Sequence, residues 1–82
     1  MNDAELLVMP NPARGTATVR LGNAFQGQVE LQLFDAAGSV VAQLARRSST
    51  ILLEQGSLPK GIYILRAADE RGTERTTRVV FE

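Results

Sequence analysis

Apolar and polar residues alternate with a period of two along several short stretches of this chain, which is the pattern of a half-buried β-strand. The clearest examples are residues 16–21 and 29–33, where every second side chain is valine, leucine or alanine and the others are mostly polar. Glycine and proline interrupt the chain at intervals of roughly 8 to 12 residues, as is typical of sandwiches and barrels. The pattern therefore predicts an all-β protein.

Seven strands follow from the apolar segments between these interruptions. They are predicted at residues 6–9, 16–21, 29–33, 40–45, 51–53, 62–67 and 74–81. Parallel pairing between consecutive strands needs crossovers longer than these loops, so the strands are expected to form two stacked antiparallel sheets. The fold class that fits best is a seven-stranded immunoglobulin-like antiparallel sandwich. An open barrel with the same strand count is the alternative, because strand order separates the two.

Three local predictions accompany this fold. The first strand ends at Pro10-Asn11-Pro12, where two residues have no backbone N–H, so it is predicted to be an edge strand that enters a rigid turn relieved by Gly15. A tight hairpin is predicted at residues 35–38, because aspartate accepts turn amides and glycine adopts positive φ. The strand at residues 62–67 is apolar on both sides, which predicts a central strand buried on both faces.

Composition excludes several kinds of chemistry. The 82 residues include no histidine and no cysteine, so the usual nucleophilic triads and imidazole or thiolate metal sites cannot form. Nine basic and nine acidic residues give a formal charge of zero, which argues against nucleic acid as a partner. The carboxylates are scattered over predicted turns and strand exteriors. We therefore expect a protein without catalytic residues, metal or cofactor.

Single residues that resemble functional groups have simpler explanations. Gly15, Gly38 and Gly61 are each isolated, without the helix that follows a phosphate-binding loop, and turn geometry accounts for all three. Tyr63 is the only tyrosine, and on a central strand we expect its ring to pack in the core with its hydroxyl hydrogen-bonded rather than to stack on a sugar.

Four blocks of sequence in a fixed order carry a resemblance to a known family. These blocks are residues 9–16 (MPNPARGT), residues 29–40 with Asp35 and Gly38, residues 58–65 (LPKGIYIL) and residues 78–80 (RVV). In this order and spacing the chain resembles the type A C-terminal sorting domain of the type IX secretion system. The resemblance extends from about residue 6 to residue 82.

The resemblance implies a signal that guides a cargo protein across the outer membrane and is then typically removed by a sortase-like peptidase. Its partners would be the outer-membrane translocon with its shuttle and sortase proteins, and an upstream cargo domain in the parent chain. The protein would pass through the periplasm to the cell surface or medium. Residues 1–5 are interpreted as a linker remnant and residues 6–82 as the sorting domain, so the chain is expected to be a piece of a larger protein.

The last strand is expected to dock on the machinery through backbone pairing if it lies at a sheet edge. The predicted partner-binding residues are Pro10, Asn11, Pro12, Gly15, Gly38, Gly61, Tyr63, Arg78, Val79 and Val80. Arg78 is expected to make a charged contact. An edge-strand dimer remains possible for an open sandwich. Two other functions stay open: a carbohydrate-binding or adhesive accessory domain, which the scarcity of aromatic residues disfavours, and a structural spacer.

Overall fold

The fold consists entirely of strands, turns and loops. The structure is a computed structural model, and it describes residues 4–82. The strands are β1 (Leu6–Arg14), β2 (Thr16–Leu21), β3 (Val29–Phe34), β4 (Val40–Arg46), β5 (Thr50–Glu54), β6 (Gly61–Asp69) and β7 (Glu74–Phe81). The seven strands confirm the sequence prediction, except that β1 extends to Arg14 where the prediction ended it at Met9. The proposed linker remnant at residues 1–5 stays a prediction, and residues 1–3 lie outside the described part.

Two sheets stack to form the sandwich, and strand β1 belongs to both. In the smaller sheet, β2 pairs with β1 on one side and with β5 on the other, all antiparallel. In the larger sheet the order is β4, β3, β6, β7, again antiparallel, and the end of β1 adds next to β7. Strands β4 and β5 are the outermost strands of the combined order, and each half of β1 lies at the edge of its own sheet.

Strand β1 changes sheets at its two prolines. Its first residues pair with β2 as far as Met9, the register then shifts, and Ala13 forms a parallel pair with Phe81 of β7. Pro10 and Pro12 have no backbone N–H with which to continue the ladder to β2, so the strand leaves the smaller sheet there. Among the described residues, 6–9 pair with β2 alone, which confirms the predicted edge strand, but the chain continues through the prolines as part of β1 and not as the predicted rigid turn.

The core lies between the inner faces of the two sheets. It contains Leu6, Val8, Ala13, Ala17, Val19, Phe25, Val29, Leu31, Leu33, Ile51, Leu53, Tyr63, Leu65, Ala67, Val79 and Phe81. Leu58, from the loop between β5 and β6, packs against this cluster. The alternating strands β2 and β3 direct their apolar residues inward as predicted.

Strand β6 is central, as predicted, but only one of its faces is buried. Tyr63 and Leu65 point into the core, whereas Ile62 is 54% exposed and Ile64 is 40% exposed. The larger sheet is covered on one side only, because residues 4–82 form no helix or third layer that packs on its outer face. The prediction of burial on both faces was therefore wrong, and apolar side chains of β6 face the solvent.

Two hairpins of the larger sheet use the same turn. In the β3–β4 hairpin, Asp35 Oδ1 accepts the backbone N–H groups of Ala37 and Ser39, both at 3.0 Å. Gly38 closes the turn with φ of 87°, a conformation that suits glycine, and its N–H donates to the carbonyl of Asp35. The hairpin predicted at residues 35–38 is confirmed.

The β6–β7 hairpin repeats this arrangement around Asp69 and adds one bond. Asp69 Oδ1 accepts the N–H groups of Arg71 at 3.0 Å and Thr73 at 2.9 Å, while Oδ2 accepts the N–H of Gln26 at 3.0 Å. The bond to Gln26, followed by those within the turn, lowers the pKa of Asp69. The carboxylate therefore joins the hairpin to the loop between β2 and β3.

Candidate partner-recognition surface

The predicted partner-binding residues converge on one end of the sandwich, which we call the β7 end. It consists of the turns after β1 and β3, the loop between β5 and β6, and the end of β7. The register brings these parts together, because Phe81 pairs with Gly61 on one side and with Ala13 on the other. Strand β7 pairs with β6 along its whole length, whereas among residues 4–82 its pairing with β1 is limited to Phe81, so docking through the rest of this β7 edge stays a prediction.

Asn11 attaches the Pro-Asn-Pro segment to β7. Its Nδ2 donates to the carbonyl of Arg78 at 2.8 Å, and its Oδ1 accepts the backbone N–H of Val80 at 2.9 Å. One side-chain amide thus satisfies both the donor and the acceptor that a neighbouring strand would otherwise satisfy. Proline on either side of Asn11 cannot supply a backbone donor there, so the side chain performs this role.

The residues after the second proline continue this attachment. The backbone N–H of Glu82 donates to the carbonyl of Ala13 at 2.8 Å, and the Ala13 side chain is fully buried. Arg14 and Glu82 also form an ion pair at 3.7 Å, but both side chains are largely exposed, so the pair adds little stability. The backbone bond and the buried alanine therefore fix the chain terminus more firmly than the charges do.

Gly15 connects the turn after β1 to the loop between β5 and β6. Its φ of 81° lies in the left-handed region, which favours glycine. The Gly15 carbonyl accepts the N–H of Gln55 at 2.7 Å, and the Gly15 N–H donates to Gln55 Oε1 at 3.3 Å. Gln55 Nε2 donates in turn to the carbonyl of Leu58 at 2.8 Å. These hydrogen bonds therefore join the turn after β1 and the loop between β5 and β6 into one connected unit.

Tyr63 supports this unit from within the core. Its hydroxyl donates to the carbonyl of Pro59, and its ring meets Phe81 edge to face with a centroid distance of 5.8 Å. The predicted packing of the ring with a hydrogen-bonded hydroxyl is confirmed. Tyr63 and Val79 both have buried side chains, so any contribution of these two to recognition is indirect, through the position of β7.

Arg78 and Val80 occupy the outer face of β7, where Arg78 is exposed. Gly61 begins β6 at the same end, opposite Phe81. Gly38 lies at the tip of the β3–β4 hairpin, and strands β3 and β6 separate that hairpin from β7. The structure thus places Gly38 apart from the Pro-Asn-Pro segment, although both lie at the β7 end.

Sequence reasoning missed the apolar residues on the outer face of the larger sheet. Ile62 and Ile64 were predicted to be buried, Val40 was only assigned to a strand, and Phe34 was not singled out. In the structure Val40 is 47% exposed, and Phe34 is half-buried on the outer side. Alternation identifies two apolar faces of β6 but does not tell which of them another layer covers.

The opposite half of this outer face is polar. Arg66 donates to both carboxylate oxygens of Glu74, at 3.1 and 2.7 Å, and to Gln32 Oε1 at 3.2 Å. The hydrogen bond to Glu74 raises the pKa of Arg66, and the same bond lowers the pKa of Glu74. The arginine of this half is therefore paired within the domain.

No cluster of three or more carboxylate, imidazole or thiol side chains within residues 4–82 has the spacing of a metal site. No helix of these residues is long and apolar enough to cross a membrane. The features that stand out are the loop network of the β7 end and the outer face beside it.

A two-sheet antiparallel sandwich with these features is an immunoglobulin-like fold, and solved structures share it. A DUF3244 family protein from Bacteroides vulgatus, described as an immunoglobulin-like β-sandwich, superposes with a TM-score of 0.72 at 18% identity, covering 99% of this chain and 98% of that one. PorZ, a surface component of the type IX secretion system of Porphyromonas gingivalis, superposes with a TM-score of 0.77 at 16% identity over 94% of this chain. The match spans 11% of the PorZ chain. These likenesses confirm the predicted fold class.

Family membership comes from the sequence as a whole. The secretion system C-terminal sorting domain matches residues 7–82. The chain therefore belongs to the family of type IX secretion C-terminal sorting domains, as the four sequence blocks predicted. Membership implies a secreted, cell-surface or extracellular protein. A search of the curated proteins found no match.

Proposed function

We propose that this domain is a non-catalytic sorting signal, recognised in its folded form by the outer-membrane translocon and its shuttle proteins. The cargo attached upstream crosses the periplasm and then the outer membrane, and a sortase removes the domain at the surface. Family membership over residues 7–82 supports the role. The observation that best supports recognition of the folded form is the attachment of Asn11 to Arg78 and Val80. These bonds join the first and last of the four sequence blocks, residues 9–16 and 78–80, in one surface.

Recognition of a fold differs from recognition of an extended tail. Val79 is fully buried and Phe81 is 1% exposed, so an extended form of residues 78–82 would take two core residues out of the sandwich. Loss of a buried phenylalanine side chain alone typically costs about 3–5 kcal/mol. We therefore propose that the machinery reads the β7 end and its outer face without unfolding them.

Binding of carbohydrate receives no support from the positions of the aromatic rings. Tyr63, Phe25 and Phe81 are buried, and Phe34 is half-buried. Sugar-binding platforms need exposed rings for stacking, and no aromatic ring among residues 4–82 is largely exposed. The sorting role is therefore the one we propose.

An export assay tests the proposal. A folded reporter is fused upstream of the whole domain and expressed with an export signal in a type IX secreting bacterium and in a strain without the translocon. We expect reporter at the cell surface or in the medium only in the secreting strain, with a mass showing removal of the domain. A reporter that stays in the periplasm, or that is exported equally without the domain, overturns the proposed function.

Deletion of residues 78–82 is a poor test, because it removes Val79 and Phe81 from the core and so confounds folding with recognition. Substitutions at exposed positions, checked by thermal unfolding of the purified domain, separate the two effects. A variant that unfolds at the wild-type temperature but loses export reports on recognition alone.

A further inference from the structure

The outer face of the larger sheet carries a continuous apolar area at the β7 end, which we call the outer patch. The patch comprises Phe34, Val40, Ile62, Ile64 and Val80. Phe34 pairs with Val40 on one side and with Ile64 on the other, and Ile62 pairs with Val80 in the next row. Directly paired side chains on one face lie about 4.5–5.5 Å apart, so these residues form one surface.

Arg78 lies at the border of the outer patch, directly opposite Ile64. Its backbone carbonyl is held by Asn11, whereas its guanidinium is exposed and bonds to no acceptor among residues 4–82. Arg66, in the adjacent row on the same face, bonds to Glu74 and Gln32. The two arginines of this face thus differ, because the Arg78 guanidinium makes no hydrogen bond within residues 4–82 and lies beside an apolar surface.

We infer that the outer patch and Arg78 together bind a partner segment that presents a carboxylate within an apolar surface. This inference rests on the proposed function and names the chemistry of the partner recognised there. Covering the patch would remove water from the guanidinium, and a buried charge without a counter-ion is costly. A carboxylate offsets that cost through a bidentate pair with the guanidinium. An apolar partner without an acid would therefore bind poorly.

A second copy of this domain is a weaker candidate for the partner. The outer patch contains no carboxylate, so two patches placed face to face would bring together two apolar surfaces and two unpaired arginines. Like charges opposite each other oppose association. A heterologous acidic partner satisfies Arg78, whereas self-association does not.

The smaller sheet offers matched control positions. Its outer face carries Leu52, which is 58% exposed, and the exposed Arg20. Leu7 and Met9 are exposed on the same face, and Leu7 lies opposite Arg20, but Thr18 separates Met9 from Leu52, so the apolar area here is interrupted. The two faces therefore share residue types and exposure but differ in continuity and in their distance from the β7 end.

Charge reversal in the export assay tests the inference. We expect Arg78→Glu to lower the export rate of the reporter by about tenfold or more, as loss of a buried charge contact typically does. Arg78→Lys should restore part of the rate, and Arg20→Glu, with the same change in net charge, should stay within about twofold of wild type. All variants are first checked for a wild-type unfolding temperature. Equal export of Arg78→Glu and Arg20→Glu overturns the inference while leaving the sorting role intact.

Photo-crosslinking identifies the partner segment without relying on export. The photoreactive residue p-benzoylphenylalanine replaces Ile62 or, as the control, Leu52, and the crosslinked peptides from irradiated secreting cells are sequenced. We expect position 62 to crosslink to an apolar segment containing aspartate or glutamate, and Arg78→Glu to abolish that product. Equal crosslinking at both positions, a partner segment without acids, or crosslinks to a second copy overturn the inference. Failure of wild-type export, by contrast, counts against the proposed function.

Discussion

The side-chain amide of Asn11 takes the place of a backbone peptide group beside Val80. It accepts the Val80 N–H at 2.9 Å and donates to the carbonyl of Arg78 at 2.8 Å. Strand β1 thereby remains joined to β7 across a segment in which two prolines supply no donors. Within residues 4–82 the same junction also contains the parallel pair of Ala13 and Phe81 and the bond from the Glu82 N–H to the Ala13 carbonyl, so the Asn11 side chain adds two hydrogen bonds to this connection.

We expect Asn11→Ala to destabilise the domain by about 1–3 kcal/mol, because it removes two hydrogen bonds worth roughly 0.5–1.5 kcal/mol each. Urea unfolding of the purified domain, followed by circular dichroism, measures this loss. Asn23→Ala is the control, since Asn23 is an exposed loop residue whose side chain makes no hydrogen bond within residues 4–82. Equal stability of the two variants would show that the Asn11 amide does not join the strands.

The substitution Asn11→Asp tests the acceptor role of the Asn11 side chain separately from its donor role. The new carboxylate still accepts the Val80 N–H, but its second oxygen faces the carbonyl of Arg78, and two acceptors repel. This repulsion disfavours the charged form in the folded state, so the folded pKa of the new carboxyl rises above its unfolded value. The penalty is therefore present at neutral pH and is relieved as the pH falls through the folded pKa, where a protonated oxygen donates to the carbonyl.

Unfolding measured between pH 7 and pH 4 checks this prediction. Relative to Asn11→Ala, which does not titrate at this position, Asn11→Asp should gain stability as the solution becomes more acidic. A constant difference between the two variants over this range would contradict the assigned donor at Asn11.

The strands of this domain were predictable because their signal is local. Residues 16–21 and 29–33 alternate strictly, and the inner face of a sandwich demands that alternation. The hairpin at Asp35 and Gly38 was predictable for the same reason, since both its carboxylate acceptor and its positive φ belong to the turn itself. Family membership followed from the order of blocks, which also needs no knowledge of contacts.

Features that depend on distant pairs were not predictable from the sequence. Asn11 and Val80 lie 69 positions apart, and nothing in either segment indicates that the side chain of Asn11 accepts the backbone N–H of Val80. The exposure of Ile62 and Ile64 depends on the absence of a third layer over the larger sheet, and the residues of β6 carry no information about that layer. The outer patch therefore required the register of strands β3, β6 and β7.

Tyr63→Phe should cost about 0.5–1.5 kcal/mol, because it removes the hydroxyl that donates to Pro59 but keeps the ring that packs on Phe81. Tyr63→Ala should cost about 3–5 kcal/mol, because it also empties a core position. Thermal unfolding of both variants measures the two contributions. If Tyr63→Phe were as stable as wild type, the hydroxyl would hold no part of the loop between β5 and β6.

The two aspartate turns predict different responses to the same substitution. Asp35→Asn keeps an Oδ1 acceptor for Ala37 and Ser39, which are the only bonds its carboxylate makes within residues 4–82. Asp69→Asn also keeps Oδ1, but its amide nitrogen then faces the N–H of Gln26, so two donors meet where one bond existed. We expect Asp69→Asn to lower the unfolding temperature at pH 7 clearly more than Asp35→Asn does.

The lowered pKa of Asp69 predicts how the stability difference between wild type and Asp69→Asn changes with pH. Backbone donors, with Gln26 first, hold the pKa of Asp69 below the usual 3.8, so the unfolded chain binds the proton more readily than the folded one. The stability that the carboxylate contributes is therefore complete above about pH 4 and is lost as the pH falls through the folded pKa. Asp69→Asn has no such titration, and its deficit relative to wild type should shrink between pH 4 and pH 2. A deficit that stays constant over that interval would mean that the charged carboxylate does not join the β6–β7 hairpin to the loop between β2 and β3.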